Sequence, residues 1–254
     1  MLLAIDIGNT NIVVGCFKGE SLLFEFRLKT EPGRTIDEYE ALLFALFDRK
    51  LGKNYKFSRC VISSVVPPVT PDIIDLVRDD LKIEPIIIGP GIKTGIAIKT
   101  TEPAAVGADR IVNALAGREL LGCPLLVVDF GTATSFDYVN ANGEYEGGII
   151  APGINISLES LVRHTAKLPR IELSWPKTVI GKNTVSAMQS GAVIGYVAMV
   201  DGLIDRIQAE VGPIPHLVAT GGLGGLITKH SSRLTNYDPI LTLQGMRLIA
   251  NLNQ

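Results

Sequence analysis

Two short acidic turns, half a chain apart, constrain the fold of this 254-residue chain more than any other feature. The segments IDIGNTNIVV from Ile5 and VDFGTATSFD from Val128 both read apolar, Asp, any residue, Gly, then small polar residues. Each turn lies between two apolar runs, and the aspartates Asp6 and Asp129 are 123 positions apart. Such an internal repeat indicates two successive halves of one architecture, each with one acidic hairpin turn.

The first half predicts three strands, then a helix, a strand, a helix and a strand. Thr35 and Glu38 form a capping-box pattern, and Thr70 as N-cap with Pro71 at the first helical position predicts the second helix. The apolar runs that predict strands lie at 2–7, 12–17, 22–28, 60–66 and 84–89. Short turns separate the first three runs, which favours antiparallel pairing.

The second half repeats the three-strand opening after a predicted helix over 108–121. Its strands are predicted within 123–152 and at 215–220, and its helices at 153–168, at 184–210 and from about 242. We therefore predict an α/β fold of two domains, 1–113 and 114–254. Each domain would be a mixed sheet that opens with three antiparallel strands and is flanked by helices.

Each acidic turn carries groups suited to a phosphate chain and its metal. A glycine has no Cβ, so backbone N–H groups can approach phosphate oxygens, and side chains such as Asn9, Thr10, Thr132 and Thr134 add donors. A carboxylate repels phosphate but can hold a cation that binds it. Each turn alone could equally be a hairpin with internal side-chain hydrogen bonds. The matched pair favours a metal-bound phosphate chain held by both turns.

Two further segments could contribute to a site. Gly221 and Gly222 follow a predicted strand and open a predicted helix, where a nucleoside could lie on backbone, although a glycine pair is also a common tight turn. The pattern is not GxGxxG, which argues against a Rossmann dehydrogenase. Gly107 precedes Asp109 and Arg110, which could accept a hydroxyl proton and bind an anion. Alternatively, Asp109 only stabilises a helix N-terminus.

Composition narrows the functional classes. The chain has 24 basic and 26 acidic residues and no basic block, which argues against nucleic-acid binding. Cys16, Cys60 and Cys123 are far apart without a CxxC pattern, so we expect reduced core thiols. The start lacks a basic leader, and the uncharged stretch 184–200 is shorter than the roughly 20 residues of a membrane span. We expect a cytoplasmic protein with no membrane contact.

Five motifs follow one another along the chain: DIGNT at 6–10, GADR at 107–110, DFGTATSFD at 129–137, GGIIAPG at 147–153 and ATGG at 219–222. Together they resemble the type III pantothenate kinases. The resemblance spans nearly the whole chain and implies two duplicated actin-like (ribonuclease H-like) ATPase domains, as in acetate kinase, hexokinases, actin and the heat-shock chaperone ATPases. It further implies ATP-dependent phosphorylation of pantothenate to 4'-phosphopantothenate, the first step of coenzyme A biosynthesis. The implied enzyme is a homodimer that needs Mg²⁺ and a monovalent cation, K⁺ or NH₄⁺.

The resemblance also implies a role for each matching position. ATP would be bound by Asp6, Ile7, Gly8, Asn9, Thr10, Asn11, Ile12, Val13, Thr132, Gly221 and Gly222, with Asp6 on the magnesium side. Asp129 would bind the monovalent cation, and Asp109 would be the catalytic proton acceptor. Pantothenate would contact Thr100, Gly107, Ala108, Asp109, Arg110 and Thr184.

One position departs from the pattern of the family. Thr100 stands where the family usually has a tyrosine that contacts pantothenate, and it is equally compatible with a neutral loop position. This departure keeps open a kinase of another small hydroxy acid. Two further functional classes stay open on the same motifs. One is a non-catalytic nucleotide-binding regulatory protein of the same fold, and the second is an ATPase switch of the actin and chaperone kind, whose known members are considerably longer.

Overall fold

The computed structural model describes residues 1–253 and divides into two compact α/β units. The first unit comprises Met1–Ala97, Thr101–Ala116 and the C-terminal segment from Leu241. The second comprises Ile98–Thr100 and Gly117–Ile240. The change between the units near residue 116 lies close to the predicted boundary at 113. The C-terminal segment differs from the prediction, because it belongs to the first unit.

The first unit contains a five-stranded mixed sheet in the order β3-β2-β1-β4-β5. Its strands are β1 (Leu2–Ile7), β2 (Asn11–Lys18), β3 (Ser21–Lys29), β4 (Arg59–Ser64) and β5 (Ile86–Ile87). Helices α1 (Ile36–Leu51) and α2 (Thr70–Asp79) pack on one face, where Leu3, Ile5 and Ile7 form a buried core with Phe47 and Ile73. Strand β1 is buried on both faces, as the central strand of a sheet covered by helices should be.

The second unit contains a four-stranded mixed sheet in the order β8-β7-β6-β9. Helix α3 (Ala108–Leu121) leads into it, and its strands are β6 (Leu125–Phe130), β7 (Ala133–Val139), β8 (Tyr145–Pro152) and β9 (His216–Thr220). The helices are α4 (Ile154–Arg163), α5 (Thr184–Gln189), α6 (Gly195–Val211) and the short α7 (Gly224–Thr228). Phe136, Val200 and Ile204 belong to the buried core of this unit.

The strand pairing repeats between the units, as the two acidic turns predict. In the first unit, β1 is antiparallel to β2 and parallel to β4. In the second, β6 is antiparallel to β7 and parallel to β9. Asp6 and Asp129 are both the second-to-last residue of the central strand. The prediction of a duplicated α/β architecture is confirmed.

Most predicted elements are present, and their boundaries differ where side chains outside the local pattern intervene. Thr70 is the first residue of α2 and Val69 is its N-cap, because the Thr70 hydroxyl donates instead to the Val66 carbonyl at 2.9 Å. Strand β5 has only two residues, and α4 ends at Arg163. The helix predicted to open at the glycine pair begins at Gly224 and is five residues long.

The predicted C-terminal helix is α8 (Leu241–Leu252), which contacts β1 and β4 of the first unit. Leu243, Met246 and Ile249 are buried on it. A sequence pattern shows that these residues face a core but not which core, and so the domain assignment of this helix could not be read from its periodicity.

The predicted helix over 184–210 runs through α5, a π-helical turn at Ser190–Ile194 and α6. At 28 residues, Thr184–Val211 is longer than the uncharged stretch suggested, and its length and composition would suit a membrane span. Val193, Val200 and Ile204 are fully buried within the second unit. A core helix of this kind passes the same test of length and hydropathy, so the test is weak evidence for a membrane.

Candidate active site

The first acidic turn joins β1 to β2 at the end of the central strand. The N–H of Gly8 donates to the Asn11 carbonyl at 3.0 Å, and a Cβ at Gly8 would lie 3.1 Å from the same oxygen. The turn is thus tight enough to favour glycine there. Asn9 and Thr10 at the tip are exposed, while Asp6 is half-buried beneath them in the strand. This places donors at the surface of the turn and the carboxylate behind it.

The environment of Asp6 favours its neutral form. Burial raises the pKa of its carboxyl to about 7, and the negative charge of Asp109 adds to this effect. Ser63 lies directly opposite in β4 and is fully buried. Its hydroxyl is near enough to lower the Asp6 pKa in part, but makes no well-formed hydrogen bond with the described residues. A cation would therefore stabilise an ionised Asp6 that the protein alone stabilises poorly.

The GADR segment forms the start of α3, as predicted. Asp109 lies in the first helical turn, and one of its oxygens accepts from the Arg110 N–H at 2.9 Å. A Cβ at Gly107 would lie 2.6 Å from the same carboxylate oxygen, so glycine keeps that position open for Asp109. Asp6 and Asp109 both belong to the first unit, and the negative charge of Asp109 contributes to the raised pKa of Asp6.

The second acidic turn has a matching arrangement. Asp129 pairs across the sheet with Ser135 in β7 and with Thr220 in β9. Thr220 is buried, as is Ser63 at the equivalent position of the first unit. Gly221 follows Thr220 with a φ of +85°, and a Cβ there would lie 2.5 Å from the Asp129 carboxylate. The second turn and the glycine pair therefore lie next to each other within the second unit.

Gly153, the last residue of the GGIIAPG motif, lies against the second turn, and the sequence patterns gave it no role of its own. It is the N-cap of α4, and a Cβ on it would lie 2.2 Å from the Thr132 carbonyl oxygen. The backbone of the second turn thus packs directly on the start of α4. The available signal was the GGIIAPG motif, but only the fold reveals which backbone its last glycine contacts.

Thr100 and Thr184 lie in different surroundings within the second unit. Thr100 follows a short bridge between Ile98 and Tyr145, and its methyl group would lie 3.7 Å from a Cβ at Gly147. Its hydroxyl is shielded from solvent without a hydrogen-bond partner among residues 1–253. Thr184 begins α5 on the wall of a cavity of about 820 Å³ between α4 and the long helix. The two threonines therefore have different neighbours.

The oxygen ligands at the two turns fit the implied cations. Residues 1–253 contain no group of three or more His, Cys, Asp or Glu side chains that could hold a metal. Mg²⁺ is ordinarily held by one or two carboxylates together with substrate phosphates, so a single half-buried carboxylate such as that of Asp6 would fit such an ion. Asp129 offers a carboxylate oxygen beside Gly221, where a larger residue would fill the space. This position suits a cation that prefers oxygen.

Comparison with solved structures shows the fold of this chain. The chain aligns over its full length with an inorganic polyphosphate/ATP-glucomannokinase from Arthrobacter sp. strain KM, at a TM-score of 0.52, 15% identity and 99% coverage of that chain. It also aligns with the ethanolamine utilization protein EutJ from Carboxydothermus hydrogenoformans, at a TM-score of 0.58 and 12% identity, covering 97% of this chain and 89% of that one. The fold is that of the actin-like ATPases and sugar kinases, which confirms the predicted fold class.

The sequence comparisons identify the family. The family description of type III pantothenate kinase matches residues 2–206. Type III pantothenate kinases from Exiguobacterium sp. (strain ATCC BAA-1283 / AT1b) and Myxococcus xanthus (strain DK1622) are 48% and 49% identical to this chain. The alignments cover the whole of this chain and 100% and 99% of those proteins. The chain belongs to the type III pantothenate kinase family, and the predictions of a kinase and of this family are confirmed.

Proposed function

We propose that this chain transfers the γ-phosphate of ATP to the primary hydroxyl of pantothenate, the first step of coenzyme A biosynthesis, in the cytoplasm. Family membership supports the overall reaction. The observation that best supports the assignment of residues is the pair of acids in the first unit. Asp6 lies behind a turn rich in donors, and the charge of Asp109 reaches it from the start of α3.

Asp109 is the proton acceptor in this proposal. Phosphoryl transfer has a loose transition state, so the protein mainly orients the hydroxyl and takes its proton late. The carboxylate accepts a hydrogen bond from the Arg110 N–H at 2.9 Å and lies in the first turn of a helix, which fixes its position. Arg110 binds the anionic end of pantothenate, with Gly107 and Ala108 against the substrate.

The first turn binds the phosphates of ATP. Asn9 and Thr10 supply exposed donors, while Gly8 has no Cβ and so lets the phosphates come close to the backbone. The segment from Asp6 to Val13 forms the wall of this site, and the ionised carboxylate of Asp6 would hold Mg²⁺. A magnesium ion held there would supply positive charge to offset that of the phosphates.

The second unit contributes the remaining nucleotide contacts. Thr132 contacts ATP, and the backbone at Gly221 and Gly222 lies against adenosine. The carboxylate of Asp129 would hold K⁺ or NH₄⁺. These assignments are supported by the close approach of Gly221 to Asp129. A Cβ on Gly221 would lie only 2.5 Å from the Asp129 carboxylate.

We further propose that the active form is a homodimer and that neither nucleic acid nor a membrane is a partner. The lining of the cavity between α4 and the long helix includes the small residues Ala187, Gly191 and Gly195 on the side of the long helix. The exposed apolar side chains of the same unit include Ile156, Leu161, Val179, Ile180 and Val185. Small residues allow close helix packing, and exposed apolar side chains are covered from water in a protein interface. Sedimentation equilibrium at micromolar concentration tests the dimer, and a monomer at all concentrations contradicts it.

The reaction is tested by ADP release from purified protein with ATP and Mg²⁺, with and without pantothenate, in K⁺ and then in Na⁺. We expect release that requires pantothenate and K⁺. ATP turnover that ignores pantothenate contradicts the proposal and favours an ATPase switch, whereas ATP binding without turnover favours a regulatory protein.

The role of Asp109 is tested by Asp109→Asn, for which we expect kcat to fall about a hundredfold or more while ATP binding is retained. Asp37→Asn is the matched control, because Asp37 is also an acid in the first turn of a helix, α1, but is exposed outside the site. Unchanged kcat in Asp109→Asn removes Asp109 from the mechanism.

The substrate is tested separately because of Thr100. Thr100→Tyr introduces the residue usual in the family, and we expect it to lower KM for pantothenate, since an aromatic ring adds contact area. A panel of other small hydroxy acids with the unaltered enzyme tests whether the substrate is a different acid. Turnover of one of them at a higher kcat/KM than pantothenate contradicts the assigned substrate.

A further inference from the structure

Thr30 forms a clasp on the first acidic turn. It follows the last residue of β3 and is only 7% exposed. Its hydroxyl donates to the Gly8 carbonyl at 2.6 Å, and its backbone N–H donates to the Thr10 carbonyl at 3.0 Å. One residue therefore fixes two of the carbonyls in the turn that is proposed to bind phosphate.

The clasp orients the donors of the turn through peptide geometry. A trans peptide unit is planar, and its C=O and N–H groups point in opposite directions. With the Gly8 and Thr10 carbonyls directed at Thr30, the N–H groups of Asn9 and Asn11 must point away from it. Two backbone donors are thus held on the side of the turn opposite to Thr30, before any ligand binds.

Thr30 is itself held in place by the following residue and α1. The Glu31 N–H donates to the Tyr39 hydroxyl at 3.1 Å, and that hydroxyl donates back to the Glu31 carbonyl at 3.0 Å. Tyr39 is fully buried in α1. Arg34 adds an ion pair to Glu31 at 2.8 Å. The hydroxyl of Thr30 therefore acts from a rigid position rather than from a free loop.

We propose that Thr30 is a positioning residue for ATP, because its clasp on the Gly8 and Thr10 carbonyls holds the donors of the first turn in a phosphate-binding orientation. This inference rests on the proposed function of that turn. Thr30 does not touch the nucleotide in this account. Its effect is that ATP binds to a turn that is already ordered, and so binding does not have to order it.

The test compares Thr30→Val, which keeps the shape but loses the hydroxyl, with Thr30→Ser, which keeps the hydroxyl. We expect Thr30→Val to raise KM for ATP about tenfold, since a shielded carbonyl loses its donor. KM for pantothenate should change less than about twofold, and Thr30→Ser should restore most of the ATP affinity. Thr35→Val is the matched control, because it removes a threonine hydroxyl that caps α1 and should lower stability without changing KM for ATP.

Amide hydrogen exchange of the protein without nucleotide tests the clasp independently of catalysis. We expect exchange across residues 6–13 to be faster in Thr30→Val than in Thr30→Ser. The proposal is overturned if exchange is the same in both variants, if KM for ATP is unchanged in Thr30→Val, or if serine fails to restore it. A wild-type protein that binds no ATP refutes the proposed function instead, and the exchange experiment still decides whether the clasp exists.

Discussion

Replacing Asp6 by asparagine should stabilise the protein above neutral pH while removing its activity. Burial raises the Asp6 pKa from 3.8 to about 7, so ionising this carboxyl in the folded chain costs free energy. Each pKa unit corresponds to about 1.4 kcal/mol, which makes the full penalty about 4 kcal/mol. Because the side chain is only half-buried, water screens part of it, and we expect a gain of about 2 kcal/mol from Asp6→Asn at pH 8.

The pH dependence gives this prediction its sign. The folded-state pKa lies above the unfolded-state value, so the folded chain binds an extra proton between about pH 4 and pH 7. The contribution of Asp6 to the free energy of unfolding is therefore fully present below pH 4 and is lost as the pH rises through 7. Asp6→Asn has no such group, and its advantage over the wild type should grow from pH 5 to pH 8.

The assay is urea unfolding at pH 5, 6, 7 and 8 in EDTA without nucleotide, with phosphoryl transfer measured in parallel. Asp37→Asn is the control, because it removes an exposed acid from the first turn of α1 and should not gain stability as the pH rises. An advantage of Asp6→Asn that is the same at pH 5 and pH 8 would refute the reasoning about burial. Full activity of Asp6→Asn would refute its role in holding Mg²⁺.

Two further substitutions test how packing controls the site. Gly107→Ala places a Cβ 2.6 Å from the Asp109 carboxylate, so we expect kcat to fall at least tenfold as that group is displaced, with a melting temperature within a few degrees of wild type; unchanged kcat would contradict this. Tyr196→Phe removes a hydroxyl that pairs with Thr134 at 2.5 Å and donates to the Pro152 carbonyl at 3.0 Å, and should cost about 1–3 kcal/mol in chemical unfolding. A loss below about 0.5 kcal/mol would mean that water replaces both contacts.

The sequence pattern was sufficient to predict the elements that depend on residues close together in the chain. The capping box of Thr35 and Glu38 sets the start of α1, because both partners lie within one helical turn. The three-strand opening of each half follows from apolar runs separated by short turns, and the matched pair of aspartates predicts that the two sheets repeat. The one-residue error at the start of α2 arose because the Thr70 hydroxyl bonds to Val66 rather than to its own helix.

The candidate site also has a part that the sequence predicts and a part that it does not. The residue types at the two turns and in GADR could be selected from the sequence, since their chemistry is that of the side chains themselves. The pairing of Asp6 with Ser63 could not, because 57 positions separate them and only the β1–β4 register places them opposite each other. The same holds for the clasp of Thr30 on Gly8, for which the sequence carries no signal beyond a hydroxyl after a strand.

The sequence by itself determined that the chain has two α/β halves with an acidic turn in each, and which side chains could handle phosphate and a proton. Only the tertiary structure decided that α8 packs on the first sheet, that the Asp6 carboxyl is shielded enough to shift its pKa, and that Gly153 leaves room for the second turn. The physical reason is the distance along the chain over which each effect acts. Periodicity and capping are set within a few residues, whereas burial and close approach depend on the packing of segments that are distant in the chain.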